Sequence, residues 1–169
     1  MTRQLHFEER LVEINVVRET KEEVITMLAH LLKEQGYVKD SFLTALLERE
    51  KVYSTGLPLK KYGVAIPHTD VVHVNEPAIA VAILDKPVQF QMMGSPETDV
   101  MADIVFVLAV KEPSEQIFML ESLMNLFQND ELMDTLKHAT SRQEAMLLIK
   151  RELGLSAPGE VSPAEVRKP

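Results

Sequence analysis

Apolar positions follow two rhythms along this chain. Unbroken or alternating runs predict strands, and spacings of three and four predict helices. Residues 5–17 hold Leu5, Phe7, Leu11, Val12, Ile14, Val16 and Val17, with Ile14-Asn15-Val16-Val17 the best strand there. Thr20-Lys21-Glu22-Glu23 is a capping-box pattern, in which hydroxyl and carboxylate satisfy each other's free N–H groups. It opens a helix with Val24, Met27, Leu28, Leu31 and Leu32 at helical spacing, and Gly36 ends it. Asp40 reads as the N-cap of a second helix with Leu43, Leu46 and Leu47 inward. Residues 53–62 read as a loop, and Val64-Ala65-Ile66 as a buried strand stopped by Pro67, which has no N–H for a ladder. Residues 78–84 form another apolar strand; Asp85-Lys86-Pro87 reads as a turn, and Val88-Gln89-Phe90-Gln91 alternates as its antiparallel partner. After a loop at 94–99, the longest apolar run, residues 102–110, predicts a central strand buried on both faces.

Ser114 then starts a helix with Ile117, Leu120, Leu123, Met124 and Phe127 on one side, followed by a shorter helix around 131–138. Ser141-Arg142-Gln143-Glu144 is a second capping box, opening a last helix through about residue 152. Strands and helices are mixed and no repeat recurs. The pattern predicts an α/β fold, a single-domain sandwich with a mixed central β-sheet flanked by helices, over residues 1–153. Residues 154–169 are rich in Gly, Pro, Ser and Glu and poor in large apolar side chains, which predicts a disordered tail.

Composition narrows the classes. At 169 residues, 46% hydrophobic, the chain suffices for one ordinary core, and with no Trp that core is aliphatic. A formal net charge of −8 disfavours nucleic acid as a partner. Zero cysteines exclude disulfides, cysteine–metal sites and a thiol nucleophile. No apolar run is long enough to span a bilayer, and the first residues carry acids where a signal peptide needs apolar ones, so we expect a cytoplasmic protein.

Candidate chemistry gathers at Gly63-Val64-Ala65-Ile66-Pro67-His68-Thr69-Asp70. A strand end delivers His68 to a loop, so the sheet fixes its position while the loop gives access. Imidazole is the side chain that serves as a neutral nucleophile near pH 7. Upstream, Arg49 offers a planar fork of donors suited to phosphate, and Ser54 and Thr55 offer hydroxyls ahead of Gly56. A solvated Arg at a helix end and an ordinary turn is the plainer reading of that run. His73 lies five residues beyond His68, and its plainer reading is a loop residue. His6, His30 and His138 read as structural or solvated. His68, Asp70 and His73 are also a valid ligand set for a metal hydrolase, but their spacing fits neither a helix face nor a closed site, so we expect no metal and no cofactor.

The combination Leu47-Glu48-Arg49-Glu50, Ser54-Thr55-Gly56 and Gly63-Val64-Ala65-Ile66-Pro67-His68 resembles the IIA domains of the mannitol/fructose class of the bacterial sugar phosphotransferase system, over about residues 5–152. Thr55-Gly56, Ala65-Ile66-Pro67-His68 and His73 look most like galactitol-type IIA proteins. The resemblance implies a phosphocarrier. His68 would take a phosphoryl group from the phosphohistidine of HPr on Nε2 and pass it to a cysteine of a IIB protein, meeting the membrane IIC component only indirectly. It makes Arg49 the phosphate-stabilising arginine and leaves open whether a backbone carbonyl, Ser54 or Thr55 accepts the imidazole N–H. One position departs: Gln116 stands where mannitol-type relatives carry a second histidine, and His73 is the obvious substitute. The resemblance equally allows a regulator whose phosphorylation state a non-transport partner reads. Met92-Met93-Gly94 is a candidate partner surface, because Met adapts to more than one partner; the alternative is that both methionines pack inward.

Overall fold

The two longest apolar runs pair with each other. In the computed structural model, which describes residues 5–155, β4 (Ala78–Met92) and β5 (Ser95–Ala109) form one antiparallel hairpin, from Ala78 opposite Ala109 to Met92 opposite Ser95. Gly94, at φ +77°, makes the tight turn. Outside β4, β1 (Val12–Val16) runs parallel to it, with Val12 opposite Val81. Outside β5, β3 (Gly63–Ala65) runs parallel to it, with Val64 opposite Ile104. β2 (Gly56–Pro58) pairs antiparallel with β3, and its Gly56 also meets Met92 at the far end of the hairpin. The sheet is therefore mixed and five-stranded.

Helices cover both faces, and alternation along the hairpin decides which side chain meets which layer. Ala78, Ala80, Ala82 and Leu84, with Val105, Val107 and Ala109, join α1 (Lys21–Glu34) and α2 (Phe42–Val52) in one buried cluster. Ile79, Val81 and Ile83, with Ile104, Phe106 and Leu108, face α3 (Pro113–Phe127), α4 (Asp130–Lys137) and α5 (Arg142–Glu152). The alanines let α1 lie close to the strands. Phe106 fills the opposite side against Phe127, with ring centroids 5.4 Å apart. A fully buried Phe of this kind stabilises by roughly 1.5–3 kcal/mol.

Helix starts follow their hydroxyls: Thr20 Oγ1 accepts from Glu23 N–H at 3.2 Å and Ser141 Oγ from Glu144 N–H at 3.0 Å. Several local expectations give way to tertiary context. Asp40 is not the cap of α2; Ser41 holds that position without a side-chain bond to the helix N–H groups, and Asp40 instead pairs with Lys33 at 3.2 Å. Asp85-Lys86-Pro87 is no turn: the three exposed residues form an irregularity inside a continuous β4, between Ile83 and Val88. Residues 95–99 belong to β5 rather than a loop, and β2 lies within the segment read as loop. On α3 the buried set is Met119, Leu123, Leu126 and Phe127, leaving Ile117, Phe118 and Met124 exposed. Gly154 (φ +69°) and Leu155 close α5, donating to Arg151 O at 3.2 Å and Lys150 O at 2.9 Å, and Leu155 packs on the second cluster. The helix itself ends at Glu152, and its hydrogen-bonded closing turn reaches two residues past the boundary at 153 read from sequence; the rest of the expected tail, 156–169, lies outside the described residues.

Candidate functional site

β3 hands its chain to the site one residue at a time. The ladder with β5 ends at Ala65, but Leu108 N–H still donates to Pro67 O at 3.0 Å, and His68 forms a last isolated bridge to Leu108. His68 is thereby carried by a fully buried central strand while its own side chain is half-buried. Its Nδ1 lies 2.8 Å from Ile66 O. A carbonyl only accepts, so Nδ1 carries the proton and Nε2 keeps the lone pair. Of the acceptors left open by the sequence, the backbone carbonyl of Ile66 is the one observed.

The chain beyond His68 is pinned on several sides. Residues Val71–His73 make a 3₁₀ turn, Lys39 N–H donates to His73 O at 2.9 Å, and Lys111 Nζ donates to Val74 O at 2.9 Å. His73 Nδ1 is 2.8 Å from Ser41 Oγ. Arg49, in the last turn of α2, reaches this segment: its Nη1 is 3.8 Å from Asp70 Oδ1, and its guanidinium lies 4.5 Å from the centroid of the Tyr53 ring. Arg49, Tyr53, Thr69, Asp70 and His73 line one open cleft of about 310 Å³, beside which Val52, Tyr53 and Val72 are exposed. The sequence-read residues Arg49 and His73 therefore line one cleft together with Asp70, and that lining begins at Thr69, one residue after His68 in the chain.

The other sequence-read residues behave differently. Thr55 is buried and donates its hydroxyl to Glu50 Oε1 at 2.8 Å, so its proton is committed away from His68. Ser54 is buried and makes no side-chain hydrogen bond among the described residues. Gln116 sits in the first turn of α3, half-exposed, and its amide likewise makes no bond there. Met93 donates its N–H to Gly56 O at 2.8 Å and leaves its side chain exposed, while Met92 is half-buried, so the hairpin tip stands against the Ser54–Gly56 loop. His68, Asp70 and His73 each turn to a different partner, and among the described residues no three His, Asp or Glu side chains are placed to hold a metal. His6 stacks on Tyr37 with centroids 4.4 Å apart, and His138 Nδ1 donates to Asp134 O at 2.8 Å; His30 is exposed.

Sequence reasoning missed Glu50. It is 3% exposed, and its Oε2 accepts from Thr55 N–H at 2.9 Å as its Oε1 accepts from Thr55 Oγ1. Burial drives its pKa up to about 7, against the opposing pull of the two Thr55 bonds and of Lys21. The available signal was a second acid beside Arg49 followed five residues later by Thr. Alone, that signal is weak, because Glu near a helix end is ordinarily solvated.

Known proteins share both the pattern and the architecture. The galactitol-specific EIIA component of Escherichia coli K12 is 30% identical over 116 residues, covering 69% of this chain and 77% of that protein. The mannitol-specific EIICBA component of Buchnera aphidicola from Acyrthosiphon pisum is 30% identical over 86% of this chain and 22% of its own length. Among solved structures, IIA mannitol from Escherichia coli superposes with a TM-score of 0.71 at 25% identity, covering 85% of this chain and 99% of that one. Enzyme IIAMTL in its complex with phosphorylated enzyme IIBMTL gives 0.72 at 23% identity, covering 86% and 98%. No described helix is long and apolar enough to cross a membrane. The family profile for the phosphoenolpyruvate-dependent sugar phosphotransferase system, EIIA 2, matches residues 5–152, nearly the whole span in which the strands, the helices and His68 lie. The chain thus belongs to the EIIA type 2 family, whose members carry phosphoryl groups within that system.

Proposed function

We propose that the protein is a cytoplasmic phosphocarrier in which His68 is the phosphoryl acceptor. The carrying observation is the 2.8 Å bond from Nδ1–H to Ile66 O, which leaves Nε2 with an available lone pair on a half-buried ring. Nε2 attacks phosphorus as the N–P bond to the phosphohistidine of HPr breaks, and the donor ring keeps that electron pair. In the second transfer a cysteine thiolate of a IIB protein attacks, the His68 N–P bond breaks, and the neutral imidazole returns. Such transfers need in-line positioning and neutralisation of the equatorial oxygens rather than covalent help. Arg49 supplies the fixed charge in this reading. Its only ion pair among the described residues is the 3.8 Å contact to exposed Asp70, which a dianionic phosphoryl group outcompetes. Ser54, Thr55, His73 and Gln116 are supporting groups.

IIB is the acceptor in this reading because one fold neighbour was solved on phosphorylated IIB. The galactitol-specific relatives make galactitol or a related polyol the sugar whose uptake is served. Phospho-HPr bearing a labelled phosphoryl group tests the carrier step. Wild type should gain an acid-labile label and His68→Ala none; a label persisting on the variant refutes His68. Arg49→Ala should still be labelled, roughly tenfold to a hundredfold more slowly, as for a lost charge-assisted hydrogen bond. Label that reaches no galactitol-type IIB would turn the assignment toward regulation; the nitrogen regulatory protein IIA-Ntr of Neisseria meningitidis shares the fold, with a TM-score of 0.64 at 22% identity.

A further inference from the structure

Glu50 is an acid that the transfer steps above do not use. It follows Arg49 on α2 yet points inward, and no cation forms an ion pair with it among the described residues. Taking a carboxyl group out of water is costly unless its oxygens are satisfied. Here both oxygens are spent on one residue, Thr55, through its N–H at 2.9 Å and its hydroxyl at 2.8 Å. Thr55 is itself only 3% exposed, so without Glu50 both of those donors would be buried and unpaired.

What Thr55 does next gives the arrangement its direction. Its carbonyl accepts from Ile66 N–H at 3.3 Å, and the carbonyl of Ile66 accepts from His68 Nδ1–H at 2.8 Å. Three consecutive contacts therefore run from a buried carboxyl group to the imidazole, each fixing the residue that offers the next acceptor. We propose that Glu50 is a positioning residue for His68: through Thr55 and Ile66 it holds the carbonyl that keeps the ring proton on Nδ1 and the lone pair on Nε2. The links pass through different peptide units, so the coupling is one of position and not of charge transmitted along a wire. With both of its oxygens engaged by Thr55, Glu50 forms no ion pair with the neighbouring Arg49, whose guanidinium faces Asp70 instead.

Mere structural support predicts lost stability only; positioning predicts a changed ring. This inference rests on His68 being the phosphoryl acceptor, so the experiment reads the ring and the transfer separately. Ring ¹⁵N shifts of His68 are recorded in wild type, Glu50→Gln, Glu50→Leu and Thr55→Val, and each protein's phosphorylation rate by phospho-HPr is measured beside them. Wild type and Glu50→Gln, which retains an acceptor for Thr55 N–H, should show the Nδ1–H tautomer. Glu50→Leu and Thr55→Val should move part of the population to the Nε2–H tautomer and slow labelling by roughly tenfold or more, as for a misplaced nucleophile. A wild-type ring in Glu50→Leu, or a ring in Glu50→Gln as disturbed as in Glu50→Leu, overturns the proposal. If Glu50→Leu does not fold, Thr55→Val decides: an unaltered tautomer refutes it. If wild type takes no phosphoryl group but the ring responds as described, the carrier reading falls and the positioning role stands.

Discussion

Replacing Glu50 by Gln should change how stability depends on pH, by an amount the structure sets. In the folded protein burial raises the carboxyl pKa from 4.5 to about 7, while the Thr55 bonds and Lys21 pull down and Glu22 pushes up. Unfolded, the group ionises near its ordinary value. Between those two values the folded state holds a proton that the unfolded state has released, so stability falls as pH rises. Over about 2.5 units, at 1.36 kcal/mol each, the loss is about 3 kcal/mol, complete above pH 7. Gln carries no such titration, and every other acid contributes alike to both proteins. The difference, variant minus wild type, should therefore climb by about 3 kcal/mol between pH 4.5 and 8. Urea unfolding at pH 5, 6, 7 and 8 covers about 2.5 kcal/mol of that climb; with a slope of about 2 kcal/mol/M, the midpoints should separate by about 1.2 M across the series. Parallel profiles, or a difference that shrinks with pH, would show that Glu50 is ionised and solvated and that its buried placement is wrong.

Gly63→Ala should be severe, because a Cβ there would lie 2.1 Å from the carbonyl oxygen of Met101 in β5. Backbone atoms cannot swing aside, so we expect about 3 kcal/mol or more of destabilisation by chemical unfolding; a loss below 1 kcal/mol would refute the close approach. Asn129→Ala removes the side chain that accepts from Leu132 N–H at 3.1 Å at the start of α4, and should cost about 1 kcal/mol in the same assay.

Periodicity and punctuation made the scaffold legible. The run 104–110 is apolar on both faces because both faces are covered, and Ile66-Pro67-His68 marks a strand end because proline cannot extend a ladder. Position along the chain failed where pairing over long distances decided the outcome. Asp85-Lys86-Pro87 has turn chemistry, yet β5 keeps both flanks in one strand and extrudes the three residues. Gly56-Leu57-Pro58 has almost no strand propensity; it becomes β2 because Gly56 admits the Gln91 carbonyl oxygen to within 2.6 Å of where a Cβ would stand. At the site, His68, Arg49 and His73 stood out by residue type. Two of the partners that orient them, Ile66 O and Ser41, did not, since a backbone acceptor or a contact 32 residues away leaves no local signature; Asp70 stood out only as a metal-ligand candidate and is instead the ion-pair partner of Arg49.

Gln116 tests how much positive charge the site needs. It occupies the first turn of α3, where the helix dipole already favours an anion, and its amide has no described partner to lose. Substitution by His should leave the fold and its unfolding midpoint unchanged. If residue 116 faces the phosphoryl group, as the resemblance to mannitol-type domains implies, an imidazolium adds a cation where Gln offers only a neutral donor. An added charge-assisted bond of about 1.5 kcal/mol corresponds to roughly tenfold in the phosphorylation equilibrium with HPr. The gain should appear at pH 6 and fade by pH 8 as the imidazole loses its proton. Equal gain at both pH values would assign the effect to packing, and no gain at either would leave Arg49 as the site's sufficient cation and place residue 116 outside it.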